Sequence, residues 1–154
     1  IPINKDVKNL LVELFDIDVS EDPVRPELDL KFRTSNDRKI YGLKYENNIE
    51  GIVCVAFTNE IPNTEKELEL MSKNSYLENN ATIAVAYTVW SRKRGAGREI
   101  IKKLTNHIIK DMPQIEKIIT LSPLTPTATH YHIRNGAELI SINSTTQNFQ
   151  YKIR

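Results

Sequence analysis

The residues best equipped for chemistry lie together at Ser91-Arg92-Lys93-Arg94-Gly95-Ala96-Gly97-Arg98. Glycines free successive backbone N–H groups, and at a helix N-terminus those amides and the helix dipole both favour negative charge. Arg92, Lys93, Arg94 and Arg98 surround them with cations, so the stretch suits a phosphate-type anion, although a solvated basic turn has the same composition. The spacing is neither G-x-x-x-x-G-K-[ST] nor G-x-G-x-x-G, which lowers support for nucleotide binding of those kinds. His130 and His132 stand two apart, about 200° around a helix, with no Cys or carboxylate cluster to complete a site, so no metal is expected. Cys54, inside Ile52-Val53-Cys54-Val55-Ala56, reads as a buried strand residue and a poor nucleophile. On their own, Ser122-Pro123 reads as a turn, His132 as a structural histidine and Trp90 as packing.

The elements around these residues follow from periodicity. Val7, Leu10, Leu11, Leu14 and Phe15 repeat at helical spacing, which predicts an amphipathic helix over Asn4–Ile17. Residues 20–38 hold Pro23, Pro26 and many charges and predict an irregular connection. Ile40–Glu46 and Gly51–Thr58 are β-rich runs around Asn47-Asn48, a dipeptide suited to a hairpin turn. Glu65–Lys73 predicts a short helix, and Thr82–Trp90 a strand apolar enough to be buried on both faces. The glycine stretch follows, then a helix over Arg98–Lys110 with Ile100, Ile101, Leu104, Ile108 and Ile109 in phase. A strand at Lys117–Leu121, a short helix at Thr127–Asn135 stopped by Gly136, and strands at Glu138–Asn143 and Phe149–Ile153 complete the chain.

With 154 residues, 40% of them apolar, and a single cysteine, the chain is one domain with a core that needs neither disulfide nor structural metal. A formal net charge of +1 argues against a general nucleic-acid or membrane binder, so any anion site is local. No run approaches the roughly 20 apolar residues that span a bilayer, and the start lacks a signal peptide's layout, so the sequence reads as cytoplasmic.

Arg92-x-x-Gly95-x-Gly97, after a strand and opening a helix, resembles the [QR]-x-x-G-x-[GA] acyl-CoA pyrophosphate loop of the GNAT superfamily of N-acyltransferases. The resemblance implies an α+β fold with a splayed, mostly antiparallel central sheet flanked by helices. Residues 1–39 would be a helix and connection and 40–154 the acyl-CoA-binding core. Pantetheine would lie between the fourth and fifth strands, at Thr82–Trp90 and Lys117–Leu121, with Tyr87, Thr88 and Val89 meeting its amides. The pyrophosphate would rest on Arg92, Lys93, Arg94, Gly95, Ala96, Gly97 and Arg98. Where GNAT acetyltransferases often carry A-x-x-x-Y-x-x-x-G-F, the sequence reads Ala128-x-x-x-His132-x-x-x-Gly136-Ala137, so a histidine takes the tyrosine's slot. Tyr131 stands one residue earlier, roughly 100° around the helix, and is not expected to point the same way.

A more specific similarity carries that departure. Thr120-Leu121-Ser122-Pro123, then Tyr131-His132-Ile133-Arg134-Asn135-Gly136-Ala137, then Leu139, Ile142 and Asn143, resembles the T-L-S-P, Y-H-L-x-N-G-A and L-x-R-x-N run of malonyl-CoA decarboxylases. Tyr41-Gly42, the stretch from Val55 to Ile61, and Ala86-Tyr87-Thr88-Val89 are also similar to segments of that family. By this resemblance Ser122 and His132 are the catalytic pair. A hydroxyl and an imidazole there would hold the malonyl carboxylate or thioester oxygen and supply or relay a proton to carbon, the division of roles staying open. Asn135-Gly136 reads as a helix cap and Arg134 as a surface charge. Known decarboxylases place a sizeable helical domain ahead of this core, so a minimal version is implied, with an oligomeric state left open.

The expected activity is conversion of a malonyl thioester to the acetyl thioester, with malonyl-CoA and acetyl-CoA as substrate and product and no prosthetic group. The resemblance leaves room for a malonyl acyl carrier protein as substrate in place of free malonyl-CoA, and for coupling to acyl transfer. The alternative is an acetyl-CoA-dependent N-acetyltransferase acting on an amine, favoured by the glycine loop and disfavoured by His132 and Ser122. A non-catalytic module using the basic loop on nucleic acid would instead show affinity falling steeply with salt.

Overall fold

The computed structural model describes residues 9–154, and it opens on a strand where the periodicity predicts a helix. Strand β1 is Asn9–Leu14, paired antiparallel with β2, Lys39–Tyr45, so that Leu11 faces Leu43 and Leu14 faces Ile40. Adjacent apolar residues at 10–11 and 14–15 fit a helical stripe and an edge strand equally. Pairing to the free edge of β2 decides between them, because propensity is a weak prior against tertiary context. Leu10 and Phe15, core members of the expected helix, are exposed. The rest of that expected helix, positions 4–8, lies outside the described residues.

The hairpin forms, with its turn one residue earlier than expected. Tyr45 pairs with Asn48, at the start of β3 (Asn48–Thr58), and Glu46 takes the positive φ of 55°. Residues 20–38 are irregular apart from a 3-10 turn at Val19–Glu21 and a short helix α1, Leu30–Thr34, capped by Asp29. Helix α2, Glu65–Glu78, runs five residues past its expected end to the left-handed Asn79. Strand β4, Ile83–Ser91, is buried almost throughout, and α3, Ala96–Asp111, turns Ile100, Ile101, Leu104 and Ile108 onto the sheet. Then come β5 (Lys117–Thr120), a two-residue β6 (Ser122–Pro123), α4 (Pro126–Arg134), β7 (Glu138–Ile142) and β8 (Thr146–Lys152).

The sheet order is β1-β2-β3-β4-β5-β8-β6, with β7 also on β8. Every pairing is antiparallel except β4 with β5. One apolar cluster (Leu43, Val53, Val55, Ile100, Leu104, Phe149) lies under α3; the other (Ile40, Ile52, Cys54, Leu68, Val85, Ile119) lies under α1 and α2. β1 makes β4 the fourth strand and β5 the fifth, as the resemblance requires. Among the described residues no helix is long and apolar enough to cross a membrane.

Two irregularities open this sheet. In β4, Cys54 pairs with Thr88 but Val55 with Ala86, so Tyr87 is an extra residue, a β-bulge that bends the strand. The parallel ladder with β5 ends there: its last rung is Ala86 with Thr120, closed by Leu121 N–H donating to the Ala86 carbonyl at 3.3 Å. Beyond it the strands part.

Candidate active site

The parting of β4 and β5 holds a cavity of about 550 Å³. Tyr87, Thr88 and Val89 line it from β4, Leu121 and Ser122 from the far side, and Ala128, Tyr131 and His132 from α4. Pro23 and Val24 of the irregular connection supply another wall. Trp90, expected as packing, sits in the second apolar cluster and also reaches the cavity. No Asp, Glu, Lys or Arg lines it among the described residues.

Sequence reasoning names Ser122 and His132 as a pair, and both line this cavity as buried residues, 3% and 5% exposed. Helix α4 is set by Thr125, whose hydroxyl accepts from Ala128 N–H, and by Pro126 in the first turn. The His132 ring lies between Tyr131 and Phe149, centroids 5.0 and 5.1 Å away. Its Nδ1 is 2.8 Å from the Tyr151 hydroxyl. Burial pushes the Tyr151 phenol well above its ordinary range and pulls the His132 imidazolium down to about 4. Where Tyr151 donates to Nδ1, the proton of the neutral ring sits on Nε2 and that nitrogen is a neutral hydrogen-bond donor. Ser122 Oγ donates to Thr120 Oγ1 at 2.8 Å, and Thr120 Oγ1 also accepts from Phe149 N–H at 3.0 Å. A serine hydroxyl in that position rotates readily toward an acceptor in the cavity.

Tyr131 points away from His132, toward α3, and still borders the cavity. It does so despite the 100° offset because the cavity wraps around the end of α4 toward the loop. Its hydroxyl donates to the Gly97 carbonyl at 2.6 Å. A Cβ at Gly97 would lie 3.0 Å from the Tyr131 ring, so a glycine there lets α4 approach α3.

The glycine loop is a rim feature. Of its residues, only Ser91 and Gly97 line the cavity; Arg92, Lys93, Arg94, Gly95, Ala96 and Arg98 do not. Gly95, at φ 86°, caps α3 without a side chain, leaving the first-turn amides of the helix uncapped by any side chain. Arg92 pairs with Glu21 at 2.7 Å and Lys93 with Glu50 at 3.3 Å. Arg94 and Arg98 make no ion pair among the described residues, which leaves them as the available cations. His130 is exposed, no metal-holding cluster occurs among the described residues, and burial raises the Cys54 thiol to about 11.

Thr120, inside the motif with Ser122 but given no role there, supports the pair from β5. Several other residues of the site carry no sequence signal, among them Tyr151, which reaches His132 from β8. Asp22, Arg25 and Arg33, in the connection read as irregular, form a buried cluster against β4. Asp22 accepts from the Thr88 hydroxyl at 2.8 Å and pairs with Arg33 at 2.8 Å, both side chains fully buried. One signal was available for β1: the resemblance needs three strands before Thr82–Trp90, and periodicity supplies two.

No family model matches the sequence, and no curated protein matches it in sequence. Solved structures do match in fold. The malonyl-CoA decarboxylase of Rhodopseudomonas palustris superposes with a TM-score of 0.72 at 16% identity, over 97% of this chain and 61% of that one. A GNAT-like decarboxylase, GphF, in complex with isobutyryl-CoA gives 0.67 at 12% identity, over 81% and 83%. A Bacillus subtilis acetyltransferase in complex with CoA gives 0.63 at 7% identity, over 94% and 99%. The chain spans 32% to 61% of the malonyl-CoA decarboxylase chains it matches. The fold is a GNAT fold, a mostly antiparallel sheet with helices on both faces.

Proposed function

We propose that the chain decarboxylates a malonyl thioester, carried on coenzyme A or on an acyl carrier protein, to the acetyl thioester. The observation that carries this reading is a cavity with no charged side chain among the described residues, lined by a neutral imidazole and a serine hydroxyl. Such a site offers a carboxylate no cation to rest on, so its charge is poorly held until it moves onto the thioester oxygen. His132 Nε2–H donates to that oxygen, and Ser122 orients the carboxylate with its C–C bond across the thioester plane. The bond breaks, its electron pair forms the enolate, and CO2 leaves. Water protonates the enolate carbon, and the hydroxide released combines with CO2 as bicarbonate. A histidine whose imidazolium forms only near pH 4 is suited to hydrogen-bond donation and not to proton delivery, which narrows its role. The shared phosphopantetheine arm would pass along Tyr87, Thr88 and Val89. Pyrophosphate, where coenzyme A is the carrier, would meet the amides after Gly95 together with Arg94 and Arg98.

A second reading, N-acetyltransfer to an amine, is favoured by one observation: the Tyr131 phenol on the same wall, placed to protonate a leaving thiolate. Against it, the cavity has no carboxylate to take a proton from an ammonium acceptor, and His132 is a weak base.

Mass spectrometry of the protein incubated with malonyl-CoA, malonyl carrier protein, or acetyl-CoA plus an amine panel separates these. Acetyl thioester is expected from one of the first two. His132→Ala should slow its formation by on the order of 10²–10³-fold, the range for loss of one oxyanion donor. Ser122→Ala should slow it as well, with coenzyme A affinity retained in both. Intact malonyl thioesters together with acetylated amines would replace this reading with the second.

A further inference from the structure

At the place where β4 and β5 lose contact, one side chain replaces the missing rung. After Ala86 and Thr120, the next carbonyls on the two strands are those of Tyr87 and Leu121. Arg25 donates to both, from Nε to Tyr87 at 3.0 Å and from one terminal nitrogen to Leu121 at 2.8 Å. Its other terminal nitrogen pairs with Glu65, at the start of α2, at 2.8 Å, and the residue is only 6% exposed.

Arg25 is itself held from behind. Asp22 Oδ1 accepts from the backbone N–H of Val24 and of Arg25, while Arg33 donates to the Arg25 carbonyl at 2.8 Å. Asp22 also ties this knot to Thr88 on β4. Pro23 and Val24, the residues between Asp22 and Arg25, are those that wall the cavity.

We propose that Arg25 is a positioning residue, a strut whose planar guanidinium sets the distance between β4 and β5 and so places Ser122 and the Pro23–Val24 wall around the acyl group. Holding two carbonyls at a fixed separation suits the rigid fork of arginine, which meets them with two different nitrogens; a lysine has three donors but on a single nitrogen with a flexible stem, and so sets no spacing between them. Without the strut, two buried carbonyls lose their partners, and either water enters the gap or the ladder closes by one more rung. Ser122 directly follows Leu121, so either response shifts it. The proposal rests on the decarboxylase reading for its effect on turnover, and on geometry alone for its effect on the strands.

The test compares the full chain with Arg25→Lys and Arg25→Met. Three quantities are followed: kcat and KM with the malonyl thioester that wild type turns over, coenzyme A affinity by calorimetry, and amide hydrogen exchange without ligand. In Arg25→Lys, kcat should fall on the order of 10²-fold, as for small displacements of reacting groups. KM and coenzyme A affinity should change far less than kcat, since the glycine loop is untouched and only the pantetheine wall loosens. Exchange should quicken over residues 85–91 and 119–123 and stay constant over 100–110. A Lys variant with wild-type exchange in both segments overturns the strut. So does loss of kcat in step with coenzyme A affinity, or global unfolding of both variants, which would make Arg25 a folding residue. A wild type inert toward malonyl thioesters removes the decarboxylase reading, and the exchange arm then judges the strut by itself.

Discussion

The glycine loop and the connection at residues 20–38 flank the same gap and treat charge in opposite ways. On the loop, Arg92 reaches across to Glu21, at the start of the connection, with 42% of each side chain exposed, beside Arg94 and Arg98, which make no ion pair among the described residues. In the connection, Asp22 and Arg33 pair at 0% exposure, and Arg25 spends its donors on two carbonyls and a carboxylate. Charges that must exchange partners with a passing anion stay in water, where the exchange costs little. Charges that hold geometry are dehydrated and committed, where losing a partner is expensive. Between the two, no charged side chain lines the cavity among the described residues.

The sharpest way to break the contrast is Asp22→Ala. It strands the Arg33 guanidinium at full burial and frees Thr88, and should lower stability by about 3–5 kcal/mol in urea unfolding. An unchanged midpoint would mean that the buried cluster is no more committed than the loop pairs.

Next in size is the cavity's response to acid. The folded-state value for His132, about 4, lies below the ordinary 6.5, so the unfolded chain takes up a proton first as pH falls. The corresponding stability is present above pH 6.5 and is lost between there and pH 4, amounting to about 3 kcal/mol. Unfolding curves at pH 7 and pH 4.5 should diverge in wild type and less in His132→Phe; equal divergence would place the acid response elsewhere.

Gly95→Ala tests the rim through the backbone alone. A Cβ at Gly95 meets nothing within 4 Å, but the φ of 86° is strained for alanine, and about 1–2 kcal/mol of stability should be lost. A neutral result by thermal unfolding would mean that the loop relaxes freely. Smallest of all, Arg92→Ala should change stability by less than about 1 kcal/mol, as exposed pairs do. A larger loss in the same melt would put Arg92 among the committed charges.

What could be read from the sequence divides along a similar line. The central strand, the glycine loop and α3 follow from local periodicity and a short motif, while the pairing of Ser122 with His132 comes from the family resemblance and not from the residues themselves. Tyr151 reaches His132 from another strand, and Arg25 reaches Leu121 across the sheet, through contacts that leave no mark on neighbouring residues. The same limit explains β1, where paired leucines satisfy two periodicities and only the free edge of β2 chooses. Tyr131 shows a finer version, since a helical angle says where a side chain points but not how far a cavity extends around it.

The reach of Arg25 also orders events in time. Tyr87 is 62 residues downstream of it and Leu121 is 96. A ribosome making this chain must complete five strands before the guanidinium can seat, and β8, bearing Phe149 and Tyr151 against His132, comes later still. Contacts this distant are slow to close, because the chain entropy is spent before the contact rewards it. Until β5 has been made, therefore, Asp22, Arg25 and Arg33 remain hydrated side chains on an unfinished sheet, and the cavity takes shape only once β8 has joined it.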